Sequence, residues 1–111
     1  MCATGLERNA PVEICEQTPD SIVDSARGAV KDAVAQLRGP PEAAVVFDCA
    51  GRSAWFGGAL AARELDALVG ALGDPMPSLA GVFTRGEIGR IRGAKGDRNH
   101  SVVVAAFSGS Y

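Results

Sequence analysis

The stretch that decides the fold is Ala-Ala-Val-Val-Phe-Asp-Cys-Ala-Gly-Arg, at residues 43–52. Its first five residues are all apolar, which is typical of a strand covered on both faces. The run ends at Asp48, and the glycine-rich connection at residues 49–58 is predicted to form turns. Ligands of open α/β sheets bind beyond the carboxyl ends of the strands, so this connection is the first candidate site.

Helices are predicted on both sides of this strand. Upstream, Thr18 precedes Pro19, a pair typical of a helix N-cap and first helical position. Apolar residues follow at helical spacing over residues 22–37, and a second helix is predicted over residues 60–72. Glycine and proline follow both segments and end them.

Three further strands complete the pattern. Alternating apolar and polar residues predict a short strand over residues 12–16, and apolar runs predict strands over residues 78–84 and 101–107. Residues 86–99 are predicted to form a long glycine-rich loop. The order β-α-β-α-β-β predicts an α/β fold with a mixed, mostly parallel sheet and two main helices. The last strand is expected to return antiparallel to the third.

The chain of 111 residues predicts one domain. Residues 1–10 lack periodicity and are interpreted as a loose leader, so that residues 11–111 form the domain. If both helices cover one face of the sheet, the other face is bare unless a partner covers it. This arrangement predicts association with a second copy or with another protein.

The composition argues against several classes of function. No apolar run approaches the ~20 residues that span a bilayer, and no signal-peptide pattern begins the chain, so a cytoplasmic location is expected. Cys2, Cys15 and Cys49 lack the spacing of a disulfide framework or a zinc site, and His100 is the single histidine. Basic residues at 85–98 lack interleaved aromatics in a chain of net charge −2, so nucleic-acid binding is not expected.

The connection after residue 48 holds the candidate site residues Cys49, Gly51, Arg52 and Ser53. Backbone N–H groups at the glycine and the guanidinium of Arg52 suit a carboxylate or phosphate. The alternative is a tight turn that requires Gly51, with Arg52 in solvent. P-loop and cysteine-phosphatase spacings are absent. Cys49 as a nucleophile would need His100 as its base, whereas buried strand-end cysteines are typically small hydrophobic residues, so no catalytic residue is assigned.

A second group of candidate residues follows the third strand. Gly86 and Glu87 are expected at the same edge of the sheet, where Glu87 would face Arg52 or a ligand amine. An arginine and a glutamate at one edge would recognise a zwitterion; alternatively they pair only with each other. Asn99 and His100 begin the last strand and join this group if the long loop folds back.

Three segments, taken in order, resemble a known family. They are Val-Val-Phe-Asp-Cys-Ala-Gly-Arg at residues 45–52, Leu-Ala-Gly-Val-Phe-Thr-Arg-Gly-Glu-Ile-Gly at residues 79–89, and Asn-His-Ser-Val-Val-Val at residues 99–104. These segments resemble the C-terminal part of the FIST sensory domain, the FIST C domain, and the resemblance extends over residues 12–107. Arg85, where the family usually has an uncharged residue, and Ser101, where it usually has threonine, depart from the pattern.

The resemblance implies an intracellular, non-enzymatic sensor of small ligands, with amino acids as the proposed class. The residues that match the family's recurring polar positions are Cys49, Gly51, Arg52, Gly86, Glu87 and Asn99. The N-terminal half of the FIST unit is missing from this sequence, so a homodimer or a partner FIST N-like domain is expected to complete the pocket. Some members of the broader family bind haem; the lone His100 argues against haem here, and no cofactor or metal is expected.

The predicted function is therefore a sensory module that binds a small amphoteric or anionic ligand. Arg52 would hold the acid of that ligand, and Glu87 would hold its amine. The alternative is a structural module that homodimerises through its uncovered sheet face and has no ligand of its own.

Overall fold

The computed structural model describes residues 8–14, 16–54, 57–91, 94–98 and 100–109. The side chains of residues 53, 87–91 and 94–98 lie outside the described set. The elements in chain order are α1 (Pro19–Val34), β1 (Ala43–Cys49), α2 (Ala50–Ala54), α3 (Gly58–Leu72), β2 (Ser78–Thr84), β3 (Glu87–Ile91), β4 (Ala94–Arg98) and β5 (Val102–Phe107). The predicted α/β class is confirmed, as a small domain with a mixed three-stranded sheet.

The start of α1 follows the capping rules. The backbone N–H of Ser21 donates to Thr18 Oγ1 at 3.2 Å, and the backbone N–H of Thr18 donates to Ser21 Oγ at 2.9 Å. Pro19 occupies the first turn, where its missing N–H costs nothing. The helix ends at Val34, within the predicted range of residues 22–37.

The main sheet has the strand order β2-β1-β5. β1 runs parallel to β2, with Ala43 opposite Ser78 and Cys49 opposite Thr84. β5 runs antiparallel to β1, with Phe107 opposite Ala43. The prediction that the last strand pairs with the third is therefore wrong, because β5 lies on the other side of β1.

The position of β5 has a packing reason. Beside β1 it places Val102 and Val104 in the core that Ala26 and Val30 of α1 cover. Burial of an apolar side chain contributes about 1.5–3 kcal/mol. In the structure α1 packs over β5. If β5 lay on the far side of β2 instead, it would be two strands away from this position and would not contact α1.

Two other predicted elements differ from the structure. Residues 12–14 are not in a strand, and Ile14 is 97% exposed, so no third parallel strand forms in the described chain; Cys15 lies outside the described residues. The predicted loop at residues 86–99 contains the antiparallel pair β3–β4 instead. Local pairing satisfies its backbone groups, and Gly89 lies opposite Gly96. The predicted turns after β1 contain the short helix α2.

Both long helices lie on one face of the main sheet. Leu68 and Leu72 of α3 share a buried cluster with Val46 of β1, and α1 joins the same cluster. On the opposite face Phe47 and Val82 are exposed neighbours in the β1–β2 register. The expected bare face is therefore present in the described part of the sheet. Within that part, no helix has the length and apolar character needed to cross a membrane.

Candidate functional site

The candidate site begins where β1 passes directly into α2. Cys49 is the last residue of the strand and Ala50 is the first of the helix. The turn of helix that follows carries the side chain of Arg52 into the protein, where it is only 3% exposed. The alternative of a solvated Arg52 is therefore wrong.

The guanidinium of Arg52 donates hydrogen bonds to four acceptor atoms. Nε donates to Glu64 Oε1 of α3 at 2.9 Å, and Nη2 donates to the same oxygen at 2.5 Å. Nη2 also donates to the carbonyl of Ile22 and to Ser25 Oγ in α1, at 2.8 and 3.0 Å. Nη1 donates to the carbonyl of His100, just before β5, at 3.2 Å. One side chain therefore ties α1, α2, α3 and the start of β5 together.

Two buried carboxylates surround this guanidinium. Asp48 Oδ1 lies 3.1 Å from Arg52 Nε, and Glu64 is 1% exposed. The guanidinium of Arg52 therefore lies beside two acids. Glu64 Oε2 is buried and has no hydrogen-bond partner in the described part of the chain. A buried acceptor without a donor costs about 1–3 kcal/mol, so this atom requires an explanation.

A cavity of about 440 Å³ adjoins these acids, between α3 and β2. Asp48 and Glu64 are the acidic members of its lining, and the other lining residues are apolar or glycine. The space exists because small residues face it, among them Ala61, Ala62 and Gly81. It runs along β2 from Leu79 to Phe83 and borders β1 at Val46 and Asp48.

A second, more open groove lies on the other side of Arg52. Its lining includes the polar residues Gln17, Ser25 and His100. His100 Nδ1 lies 3.2 Å from Gln17 Oε1. Gly51 packs closely here, since a Cβ atom at that position would stand 3.1 Å from His100 Nε2. The groove therefore borders the predicted site, and the glycine leaves room for the imidazole.

The family comparison agrees with the resemblance seen in the sequence. The family model described as the FIST C domain matches residues 1–90 of this chain, which is most of its length.

The chain belongs to the FIST C domain family.

This family points to a sensory domain of signal transduction. No curated protein and no solved structure gives a significant match to the chain.

The FIST C domain brings four of the predicted site residues together. Arg52 and His100 are joined by a hydrogen bond, Gly51 packs on the His100 ring, and Cys49 Sγ lies 3.5 Å from the position that a Gly51 Cβ would take. Cys49 is buried, as is typical of a small apolar residue. In the described part of the chain, no group of three or more His, Cys, Asp or Glu side chains could hold a metal ion.

The structure gives less information on the other predicted site residues, Ser53, Gly86, Glu87 and Asn99. Gly86 is exposed between β2 and β3. Glu87 is the first residue of β3, but its side chain and that of Ser53 lie outside the described set, as does Asn99 altogether. The predicted contact between Arg52 and Glu87 therefore stays a prediction, and the carboxylates seen around Arg52 are others.

Sequence reasoning missed Glu64, the residue that joins the cavity to Arg52. A signal was present, because Glu64 stands four residues after Leu60 and four before Leu68. This spacing places it on the buried face of α3, between two core leucines. A glutamate at such a position is buried only with a partner, and the buried Arg52 of α2 is that partner.

Proposed function

We propose that this FIST C domain is a non-enzymatic sensor that binds a small molecule in the cavity between α3 and β2. The observation that carries the proposal is the cavity itself, which combines apolar walls with the buried acids Asp48 and Glu64. Small-molecule sites are typically concave and largely apolar, with a few polar groups that orient the ligand.

Amino acids are the ligand class that the family resemblance implies. The sequence predicts that Arg52 contacts the acid of such a ligand and that Glu87 contacts its amine. The acids already bonded to Arg52 favour the neighbouring cavity over direct contact between a ligand carboxylate and this guanidinium. Arg52 would then hold Asp48 and Glu64 in position without contacting the ligand itself.

A sensor also needs two arrangements with different affinity for the ligand. The cavity separates α3 from the edge strand β2, whose residues Val82 and Phe83 are largely exposed. A ligand between these elements would favour the arrangement in which they stand at the present separation. A partner protein would respond to this change in the positions of α3 and β2.

Thermal unfolding of the chain tests the proposal against a panel of amino acids and small apolar amines, alcohols and acids. A ligand at ten times its Kd adds about 1.4 kcal/mol, which raises the Tm of a domain of this size by several degrees. Ala62→Phe fills the cavity from an exposed position of α3 and removes the rise. Ala59→Phe, exposed on the same helix and outside the lining, retains it. A panel without any rise, or a rise that survives in Ala62→Phe, contradicts the proposal.

The bare sheet face favours a second candidate function, homodimerisation. Phe47, Val82 and Phe107 are exposed on the face that the helices leave uncovered. A second copy could cover them by face-to-face sheet packing. Sedimentation of the wild-type chain would then show a dimer, which Val82→Glu converts to a monomer and Ala59→Glu leaves intact. A wild-type monomer at micromolar concentration contradicts this candidate.

A further inference from the structure

The outer edge of β2 has no neighbouring strand in the described chain, and the cavity between α3 and β2 opens onto this edge. We infer that the edge binds residues 11–14 of a second copy of the chain as an additional strand, with Val12 and Ile14 of that copy directed into the cavity. The inference goes beyond the proposed function because it needs no small ligand. If both hold, the ligand and the segment compete for one cavity.

The cavity borders the backbone edge of β2 and is not confined to one face of the strand. Its lining includes the five consecutive residues 79–83. Successive side chains of a strand point to opposite faces, so a cavity on one face would be lined by every second residue. Residues 80–83 are all exposed. The cavity therefore opens around the side of β2 that faces away from β1.

The backbone groups on this side of β2 are those of Leu79, Gly81 and Phe83. The N–H of Ser78 donates to the carbonyl of Glu42, just before β1, at 3.0 Å, so the backbone of Ser78 points toward β1. Backbone groups alternate in direction along a strand, so residues 79, 81 and 83 direct theirs away from β1. An extended chain that adds to an open sheet edge pairs with groups spaced in this way.

The edge strand lacks the features that normally protect a free edge from pairing. Residues 78–84 contain no charged residue and no proline, and all seven pair with β1 in one continuous register without a bulge. Leu65 of α3 and Phe83, which both line the cavity, are 53% and 59% exposed. Exposed apolar side chains beside an unprotected edge indicate a site of strand addition.

The chain itself carries a segment of matching pattern. Val12 and Ile14 are 67% and 97% exposed, and residues 11–14 belong to no helix or strand. Alternate residues of a strand face the same side, so both side chains can enter the cavity while Glu13 between them faces solvent. Pro11 takes the first position of the segment, where a strand tolerates proline. Because a segment so exposed does not occupy the cavity of its own chain, we assign it to the cavity of a second copy.

Charge favours a parallel arrangement of this segment and β2. With Ile14 beside Phe83, parallel strands place Glu16 of the second copy beside Arg85, which directly follows β2. Glu16 and Arg85 are both exposed in the single chain, and their charges are opposite. Opposite charges on neighbouring strands are favourable, whereas antiparallel strands would carry Glu16 to the other end of the edge.

Sedimentation of the full chain tests the association. The wild-type chain should form a dimer or a larger assembly at submillimolar concentration, and Ile14→Glu should convert it to a monomer, because it places a charge in an apolar cavity. Leu65→Glu should do the same, whereas Ala59→Glu, exposed on the same helix outside the lining, should leave the assembly intact. Phe107→Glu, on the bare sheet face, should also leave it intact, which distinguishes this contact from face-to-face packing.

A labelled peptide of residues 8–14 tests the strand addition, by fluorescence anisotropy with the full-length Ile14→Glu chain. In the parallel arrangement the N–H of Glu13 donates to the carbonyl of Gly81. The peptide with Glu13→Pro lacks this N–H and should bind about two- to tenfold more weakly, whereas the peptide with Glu13→Gln should bind like the unchanged peptide. Ala62→Phe, added to the receptor chain, fills the cavity and should abolish binding of all three peptides.

The outcomes decide this inference independently of the proposed function. A wild-type chain that stays monomeric, or a peptide that does not bind, overturns it. An assembly that Phe107→Glu dissolves and Ile14→Glu retains places the contact on the other face of the sheet and overturns it as well. Equal binding of the Glu13→Pro and Glu13→Gln peptides excludes strand addition. The small-ligand panel can be repeated on the Ile14→Glu chain, where no second copy competes, so failure there concerns the proposed function alone.

Discussion

Replacement of Arg52 by methionine tests whether the buried charge cluster holds the domain together. Methionine keeps the length and the apolar part of the side chain but removes the guanidinium. Asp48 and Glu64 then remain buried beside an apolar side chain. The carbonyls of Ile22 and His100 lose the donors that Arg52 supplied.

The expected cost follows from this geometry. Removal of one partner from a buried ion pair destabilises a protein by about 3–5 kcal/mol, because the remaining charge stays buried without compensation. The total stability of a domain of this size is about 5–15 kcal/mol. Arg52→Met should therefore remove about a fifth or more of the free energy of unfolding.

Urea unfolding followed by circular dichroism measures this loss. With an m-value near ~1.5 kcal/mol/M, typical of small domains, the midpoint should fall by about 2–3 M. Arg63→Met is the matched control, because Arg63 Nη2 lies 2.6 Å from Asp20 Oδ1, although these side chains are 55% and 83% exposed. An exposed pair contributes about 0–1 kcal/mol, so the midpoint of the control should fall by less than about 0.7 M.

Equal shifts for the two arginine variants would refute the idea that burial makes Arg52 important. A double variant, Arg52→Met with Glu64→Leu, examines the cause further. It removes a buried acid together with its partner, and apolar replacement of buried ion pairs is often neutral or stabilising. The double variant should therefore be more stable than Arg52→Met alone. If it is less stable, unpaired charge is not the reason for the loss.

Three further changes in stability are expected, each measured by urea unfolding. Thr18→Ala should lose about 1 kcal/mol, because it removes the cap of α1, whereas Thr18→Ser should stay within a few tenths. Gly70→Ala should gain about 0.4–1 kcal/mol, since its site is helical and has open space, but Gly73→Ala should lose stability because its φ is 92°. Leu68→Ala should cost about 2–5 kcal/mol, and Leu65→Ala, on the exposed side of the same helix, much less. A loss in Gly70→Ala, or equal losses for the two leucines, would contradict the packing described above.

The parts of the fold that were predictable from sequence depend on residues close together in the chain. The apolar run at residues 43–47 forms a strand, and the Thr18–Pro19 pair begins a helix. Both signals arise from local physical rules, the period of the apolar side chains and the need to satisfy the first N–H groups of a helix. These signals were sufficient for the α/β class and for the two main helices.

The pairing of strands was not predictable in the same way. β5 lies beside β1 because that position buries Val102 against α1, a condition that depends on where the helix packs. The alternation at residues 12–14 resembles a strand, yet no neighbour in the described chain pairs with it. A strand exists only where another strand accepts its hydrogen bonds, so its own pattern is insufficient.

In the candidate site, the sequence predicted the position of Arg52 but not its burial or its partner, because these depend on contacts between separate elements. The end of β1 directed attention to Arg52, since the carboxyl ends of parallel strands are where sites form. Whether that arginine faces solvent or the interior depends on Glu64, twelve residues later on another helix. The helical spacing of Glu64 between Leu60 and Leu68 was a signal that the sequence analysis did not use, and its partner is evident only where α2 contacts α3.

Glu64 belongs both to the cavity and to the cluster around Arg52, and this double position decides how binding and stability can be separated. A change at Glu64 alters a residue that lines the cavity and also the acceptor that holds Arg52. A loss of binding in Glu64→Gln alone is therefore ambiguous, because it can follow either from the changed lining of the cavity or from the loss of the acceptor of Arg52. Ala62 is exposed and has no part in the cluster, so filling the cavity from that position changes the space and leaves the charges in place.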